Sequence, residues 1–167
     1  MTTMPSAPTL EQVHAAHRDH LRKHYNQFAD QRDAWRQRSG YYHGRIRDYY
    51  RFSIPRGHSV LEIGCGTGDL LAACEPKRGL GIDVSDRMVD LAREKHPHLE
   101  FICADFEQLE LEEQFDYVIL NGTLHEVDDI QSFLNTLRRV CGPNTRIVMD
   151  TFCWGWEYIL KTAQALG

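Results

Sequence analysis

The ten residues Val60-Leu61-Glu62-Ile63-Gly64-Cys65-Gly66-Thr67-Gly68-Asp69 limit what this chain can fold into more than any other stretch. A short apolar run carrying an acid, then glycines at alternate positions, describes a buried strand turning sharply into a helix. Glycine reaches backbone dihedrals closed to other residues, and without a side chain it lets a ligand lie against the main chain. The amides exposed at the following helix start favour a carboxylate or another anion. The stretch therefore predicts an α/β protein with a small-ligand site at its first strand-to-helix turn; a tight turn with no ligand is the alternative.

Spacing separates the candidate ligands. A dinucleotide turn follows GxGxxG, whose third glycine lets helix and strand pack closely, whereas here the glycines fall as GxGxG and Asp69 takes the third place. A nicotinamide-dependent oxidoreductase is the weaker reading on that ground. The run Glu62-x-Gly64-x-Gly66-x-Gly68 resembles the first motif of the class I S-adenosylmethionine-dependent methyltransferases. That resemblance implies that Gly64, Cys65, Gly66 and Gly68 underlie the methionine and ribose part of the cofactor, with Glu62 facing the methionine ammonium through water.

With 167 residues and 42% hydrophobic content, the chain suits one domain with a sizeable core. Its five cysteines form no CxxC pair and no zinc spacing, and their odd number argues against a disulfide framework, so a reducing cytoplasm fits best. The sequence has no run of about 18 apolar residues and no secretory pattern, so no membrane partner is expected. The net charge of −5 conceals an asymmetry: residues 1–58 carry ten Lys and Arg against five Asp and Glu, and the remainder nine against nineteen. A basic surface can bind nucleic acid. These arginines alternate with acids along helical stretches, however, so a solvated face or contact with the acidic domain is the simpler account and nucleic acid is disfavoured.

Residues 1–8 read as a mobile tail. Thr9-Leu10-Glu11-Gln12 fits a capping box, and Leu10, Val13, His17, Leu21, Tyr25 and Phe28 recur at helical steps. His20 and His24 share a face, but no cluster of further ligands accompanies them and no metal site is assigned. A second, basic helix around Trp35 is expected to end at Ser39-Gly40 with Gly40 in the left-handed closing position. A third carries Tyr41, Tyr42, His43, Ile46, Tyr49, Tyr50 and Phe52 and stops at Pro55 and Gly57. By the same resemblance residues 9–57 form a helical lid over the cofactor, with Tyr25, Trp35, Tyr41 and Tyr42 as candidate walls of an acceptor pocket. Ordinary packing of these aromatics stays open as the alternative.

Gly79 to Ser85 reads as a second strand ending in Asp83, where a carboxylate can accept both hydroxyls of a ribose. Ser85 caps the next helix. The stretch GxDxSxxMxxxAR from Gly81 resembles the second methyltransferase motif, which implies that Val84 and Met88 flank the adenine. In the third strand, Leu99 to Phe106, the resemblance places Asp105 beside the adenine amino group, with Ala104 in the cleft wall and the Phe106 amide at a ring nitrogen. Simple capping of Glu107 and Gln108 by Asp105 is the alternative.

The fourth strand, Phe115 to Leu120, runs into Asn121-Gly122-Thr123-Leu124-His125-Glu126-Val127, and open α/β sheets bind ligands beyond such strand ends. The loop lacks the Asn/Asp-Pro-Pro-aromatic signature used on planar amide and base nitrogens. It is similar instead to the loop of small-molecule methyltransferases, which implies Asn121 along the cofactor channel and His125 near the acceptor. An imidazole titrating near ~6.5 suits proton removal at neutral pH, so His125 is the candidate catalytic base, with Glu126, His43, Tyr41 and Tyr42 as competitors.

Asp128 or Asp129 is expected to cap a helix that buries Ile130, Phe133, Leu134 and Leu137 and closes at Cys141-Gly142-Pro143. Arg146 to Phe152 reads as a fifth strand and residues 156–166 as a last helix. Five such steps predict a doubly wound, Rossmann-like parallel sheet of order 3-2-1-4-5. The family adds two more strands that residues 58–167 lack, so a longer or multifunctional parent is expected, and an uncovered fifth-strand edge predicts a homodimer. The expected activity is methyl transfer from S-adenosylmethionine to a small-molecule acceptor, leaving S-adenosylhomocysteine; the alternative is a cofactor-binding domain inactive alone.

Overall fold

The computed structural model of the chain describes residues 9–151 and residue 162. The tail expected at residues 1–8 lies outside the described residues, as does the helix expected at 156–166 apart from Thr162. Helix α1 (Leu10–Ala29) starts from the capping box that the sequence predicts, Thr9 accepting from the Gln12 amide while the Gln12 side chain accepts from the Thr9 amide. Helices α2 (Arg32–Arg38) and α3 (Gly40–Ser53) follow. Gly40 does not close α2 in a left-handed conformation: it opens α3, and the break is Ser39, whose hydroxyl donates to the Trp35 carbonyl and satisfies the helix end locally.

The sheet consists of β1 (Ser59–Ile63), β2 (Arg78–Asp83), β3 (Glu100–Cys103), β4 (Phe115–Asn121) and β5 (Cys141–Asp150), paired in parallel in the predicted order β3-β2-β1-β4-β5. Leu61 of the central strand pairs with Leu80 on one side and Val118 on the other. Successive side chains alternate between faces, so Val60 joins one apolar core with Tyr50, Leu71 and Val89, and Leu61 joins a second with Val118, Phe133 and Leu137. Helices α4 (Asp69–Ala73) and α5 (Asp86–Lys95) and α6 (Ile130–Leu137) complete the layers. Ser85 caps α5 by accepting from the Met88 amide, and Asp129 caps α6 by accepting from Ser132.

Two expectations are corrected at the C-terminal side. Helix α6 buries Phe133, Thr136 and Leu137, but Ile130 and Leu134 stay exposed. With about 100° per residue, Leu134 lies a quarter turn round from Phe133, on the flank of a narrow inner stripe. Strand β5 begins at Cys141 instead of Arg146: Phe115 pairs with Cys141, Tyr117 with Arg146, and the intervening residues bulge. Thr145 fastens the bulge by donating to the Phe115 carbonyl at 2.6 Å and accepting from the Gly142 amide. Pro143, which has no N–H for a ladder, is accommodated there. Among the described residues strand β5 stands at the edge of the sheet, with Ile147 and Met149 partly exposed. Among the described residues no helix is long and apolar enough to cross a membrane.

Candidate active site

At the end of β1 the chain turns through Gly64, Gly66 and Gly68, all at positive φ. Gly66, at φ +53, lies against the Arg32 guanidinium of α2, where a Cβ would fall 2.8 Å from Nη2. Gly68 caps α4 in the left-handed conformation, and a Cβ there would come within 2.6 Å of the Phe101 ring. The amides of Gly64 and Cys65 both donate to the Ile82 carbonyl, which binds the turn to β2.

Four acids stand around this turn in different environments. Glu62 is buried below it, with Oε2 accepting from the Leu71 amide; burial pushes its pKa up to about 8 against the pull of Arg36. Asp83, at the end of β2, is buried with Oδ2 on the Gly66 amide at 2.7 Å and Oδ1 on the Ser85 amide at 2.9 Å. Its burial raises the pKa while those amides lower it. Asp105 caps Glu107 through Oδ1; Arg18 Nε lies 3.1 Å from Oδ2 without hydrogen-bond alignment, and that oxygen has no hydrogen-bond partner. Asp69 is opposed by burial but held down to about 2 by Lys95, His96 and Arg36, whose Nη1 lies 2.5 Å away.

Beyond the carboxyl ends of the strands lies a cavity of about 570 Å³. Of the residues expected to meet a cofactor, Gly64, Gly66, Asp83, Val84, Met88, Ala104, Asp105, Phe106 and Asn121 line it, and so does His125. Glu62, Cys65 and Gly68 do not. They lie behind the loop: Glu62 holds α4, Cys65 packs into the core with its sulfur against Gly81, and Gly68 packs on Phe101. The cavity walls include Tyr25, Trp35 and Tyr42, but Tyr41 is 85% exposed on the outer face of α3 and takes no part.

The end of the cavity over β4 and β5 is built from distant residues. Asp150 Oδ1 accepts from the Tyr50 hydroxyl and from the Asn121 amide, both at 2.6 Å. Tyr25 donates to Glu126 Oε1 at 2.8 Å, His125 Nε2 lies 3.3 Å from the same oxygen, and His17 Nδ1 lies 2.8 Å from Asp128. His43 lines the wall, and its Nε2 is buried without a hydrogen-bond partner. Burial, then Arg36 and Arg32, lower its pKa, so it is neutral near pH 7.

Arg32 and Asp150 are the site residues that sequence reasoning missed. Asp150 had a signal, because it ends a strand in an acid as Asp83 does. Arg32 had none beyond its charge. Its Nε is buried with no hydrogen-bond partner, and the residue is within electrostatic reach of Asp83 and Glu62. Other polar contacts clamp the N-terminal helices to the domain: Asn26 on Ser85 and Asp86, Arg87 on Asp30, and Lys95 on Asp33. Exposed pairs of this kind are individually weak, but together they set the position of α1 and α2. Among the described residues no group of three or more His, Cys, Asp or Glu is arranged to hold a metal.

The sheet order, the glycine turn and the cavity at the strand ends define a doubly wound, Rossmann-like ligand-binding domain. Residues 61–149, more than half of the chain, match the family described as "Methyltransferase domain", and the chain belongs to that family. It is 30% identical over 139 residues to a malonyl-[acyl-carrier protein] O-methyltransferase of Priestia megaterium, covering 79% of this chain and 51% of that one. It is 29% identical over 120 residues to a ubiquinone biosynthesis O-methyltransferase of Rhodopseudomonas palustris, covering 66% and 46%. The chain thus spans about half the length of these curated relatives. Among solved structures, a DhpI–SAH complex shares the fold at a TM-score of 0.69 with 22% identity, over 79% of this chain and 67% of that one.

Proposed function

We propose that the chain binds S-adenosylmethionine over the ends of β1, β2 and β3 and transfers its methyl group to a small-molecule acceptor held over β4 and β5. The observation that carries this reading is Asp83: a buried carboxylate on the cavity wall, fixed by the Gly66 and Ser85 amides, with lone pairs left for the two hydroxyls of a ribose. Two orphaned polar atoms support it. Arg32 Nε above the glycine turn suits the carboxylate of an amino-acid moiety, and Asp105 Oδ2 suits the amino group of adenine. Val84, Met88 and Phe106 supply an apolar slot between them, and Gly64 and Gly66 let the main chain approach the ligand.

When bound, the cofactor supplies an already activated methyl group on a sulfonium, so little catalytic apparatus is needed. The chain's own residues orient the acceptor, exclude water and remove a proton where the acceptor is a hydroxyl or an ammonium. His125, on the β4 loop with its ring beside Glu126, is the base in this reading, and Asn121 lines the channel between the two ligands. A second reading follows from the relatives' greater length: a cofactor-binding unit that turns over only within a larger protein.

Calorimetry with S-adenosylhomocysteine and NAD tests the cofactor assignment. Binding of the adenosyl compound and not of the dinucleotide supports it; preference for NAD returns the chain to hydride transfer. Labelled methyl transfer to an extract of small molecules then separates an active enzyme from a binding unit.

A further inference from the structure

The acceptor end of the cavity carries a charge pattern of its own. Asp150 lines the cavity and engages only Oδ1, on Tyr50 and Asn121; Oδ2 has no hydrogen-bond partner among the described residues. Tyr50 is fully buried, and burial followed by its bond to Asp150 pushes its hydroxyl pKa far up, so it stays a donor and fixes the carboxylate's orientation. Tyr42 lies close enough for Asp150, after burial, to raise its hydroxyl as well. The rings of Trp35 and Tyr42 each meet His43 at a centroid distance of 5.2 Å, and all three line the same cavity.

Among the described residues no Lys or Arg pairs with Asp150 or Glu126. Of the two arginines on the cavity wall, Arg18 lies beside Asp105 and Arg32 over the glycine turn, from where its charge also reaches His43 and Tyr25 without pairing with Asp150 or Glu126. Near Asp150 and Glu126 the described lining offers imidazoles but no Lys or Arg, and the His43 ring is neutral. A carboxylate brought to Asp150 meets a like charge that no described Lys or Arg pairs with, whereas an ammonium meets a pre-oriented carboxylate and aromatic faces.

Resting on the methyltransferase reading, we propose that the acceptor is an amine, bound as its ammonium by Asp150 Oδ2 and flanked by Trp35 and Tyr42. A carboxylate acceptor of the malonyl kind, named for several relatives, does not suit this wall.

The test uses three probes that differ only in the polar group: phenethylamine, 2-phenylethanol and 3-phenylpropionate, titrated calorimetrically into the protein with S-adenosylhomocysteine present. The amine is expected to bind at least about tenfold more tightly than the alcohol or the carboxylate. Asp150→Asn keeps an oxygen for Tyr50 and Asn121, and should reduce amine affinity about tenfold while leaving S-adenosylhomocysteine affinity within about twofold. Equal binding of amine and alcohol by the parent protein, tighter binding of the carboxylate, no amine binding at millimolar concentration, or an unchanged amine affinity in the variant overturns the proposal. Absence of S-adenosylhomocysteine binding overturns the cofactor reading instead, and the order of the three probes is then read on the protein alone.

Discussion

The two halves of the sheet's carboxyl rim hold their acids in different ways. Over β1, β2 and β3 three of the four acids are gripped by main-chain amides close to them in sequence or in the adjoining glycine turn, Glu62 by Leu71, Asp83 by Gly66 and Ser85, Asp105 by Glu107, while Asp69 is held by side chains. Over β4 and β5 they are gripped by side chains from the N-terminal helices, Asp150 by Tyr50 and Glu126 by Tyr25, about a hundred residues away. A carboxylate held by backbone tolerates variation in its neighbours' side chains. One held by a distant tyrosine changes whenever the packing of that helix changes. On the proposed function, the first half is a fixed cofactor platform and the second the part of the fold free to adopt a particular acceptor.

The largest effect expected from breaking this division is kinetic. His125→Ala, on the acceptor side, should slow methyl transfer by roughly 10²-fold while S-adenosylhomocysteine affinity stays within about twofold. Single-turnover rates beside calorimetry decide it; a parent-like rate across neutral pH assigns His125 to structure.

Next in size is the platform's dependence on pH. Glu62 has its folded pKa raised to about 8 from an ordinary 4.5, so its protonated form is the one the fold prefers. The stability it contributes is present below about pH 4.5 and is lost as pH rises through 8. Glu62→Gln retains an acceptor for the Leu71 amide and should remove an alkaline loss on the order of 2 kcal/mol, measured by denaturant melts at pH 5 and pH 8. Identical pH slopes in parent and variant would show that Glu62 ionises freely. Asp69 runs the other way: held down to about 2, it contributes stability above its unfolded value of 3.8 that is lost as pH falls toward 2.

The smallest effect tests the acceptor side. Tyr50→Phe removes one donor from Asp150 but leaves Asn121 on the same oxygen, so a stability loss of about 1 kcal/mol is expected with S-adenosylhomocysteine affinity unchanged. A loss of cofactor affinity instead would place Tyr50 within the platform.

The platform was readable because its chemistry is local. Three glycines, an acid within or just after each of the first three strands and a serine cap fall at fixed offsets, so Asp83, Ser85, Met88 and the strand order emerge from spacing alone or with the resemblance. Asp150 carried the same strand-end mark as Asp83, but its meaning depends on Tyr50 arriving from α3, which no local pattern announces. Arg32 is one arginine among nine in the N-terminal segment, and only the folded chain shows which one lies over Gly66. The early start of β5 was hidden by Gly142 and Pro143, which read as a stop in sequence and form a bulge in the sheet.

The claim that the rim is divided is tested most directly by titrating S-adenosylhomocysteine into Asp83→Ala and Asp150→Asn side by side. The account predicts that Asp83→Ala loses at least about tenfold in affinity, since each hydrogen bond to a charged group contributes about 1.5–3 kcal/mol, while Asp150→Asn binds like the parent. Equal losses in the two folded variants, or an unaffected Asp83→Ala, would contradict it.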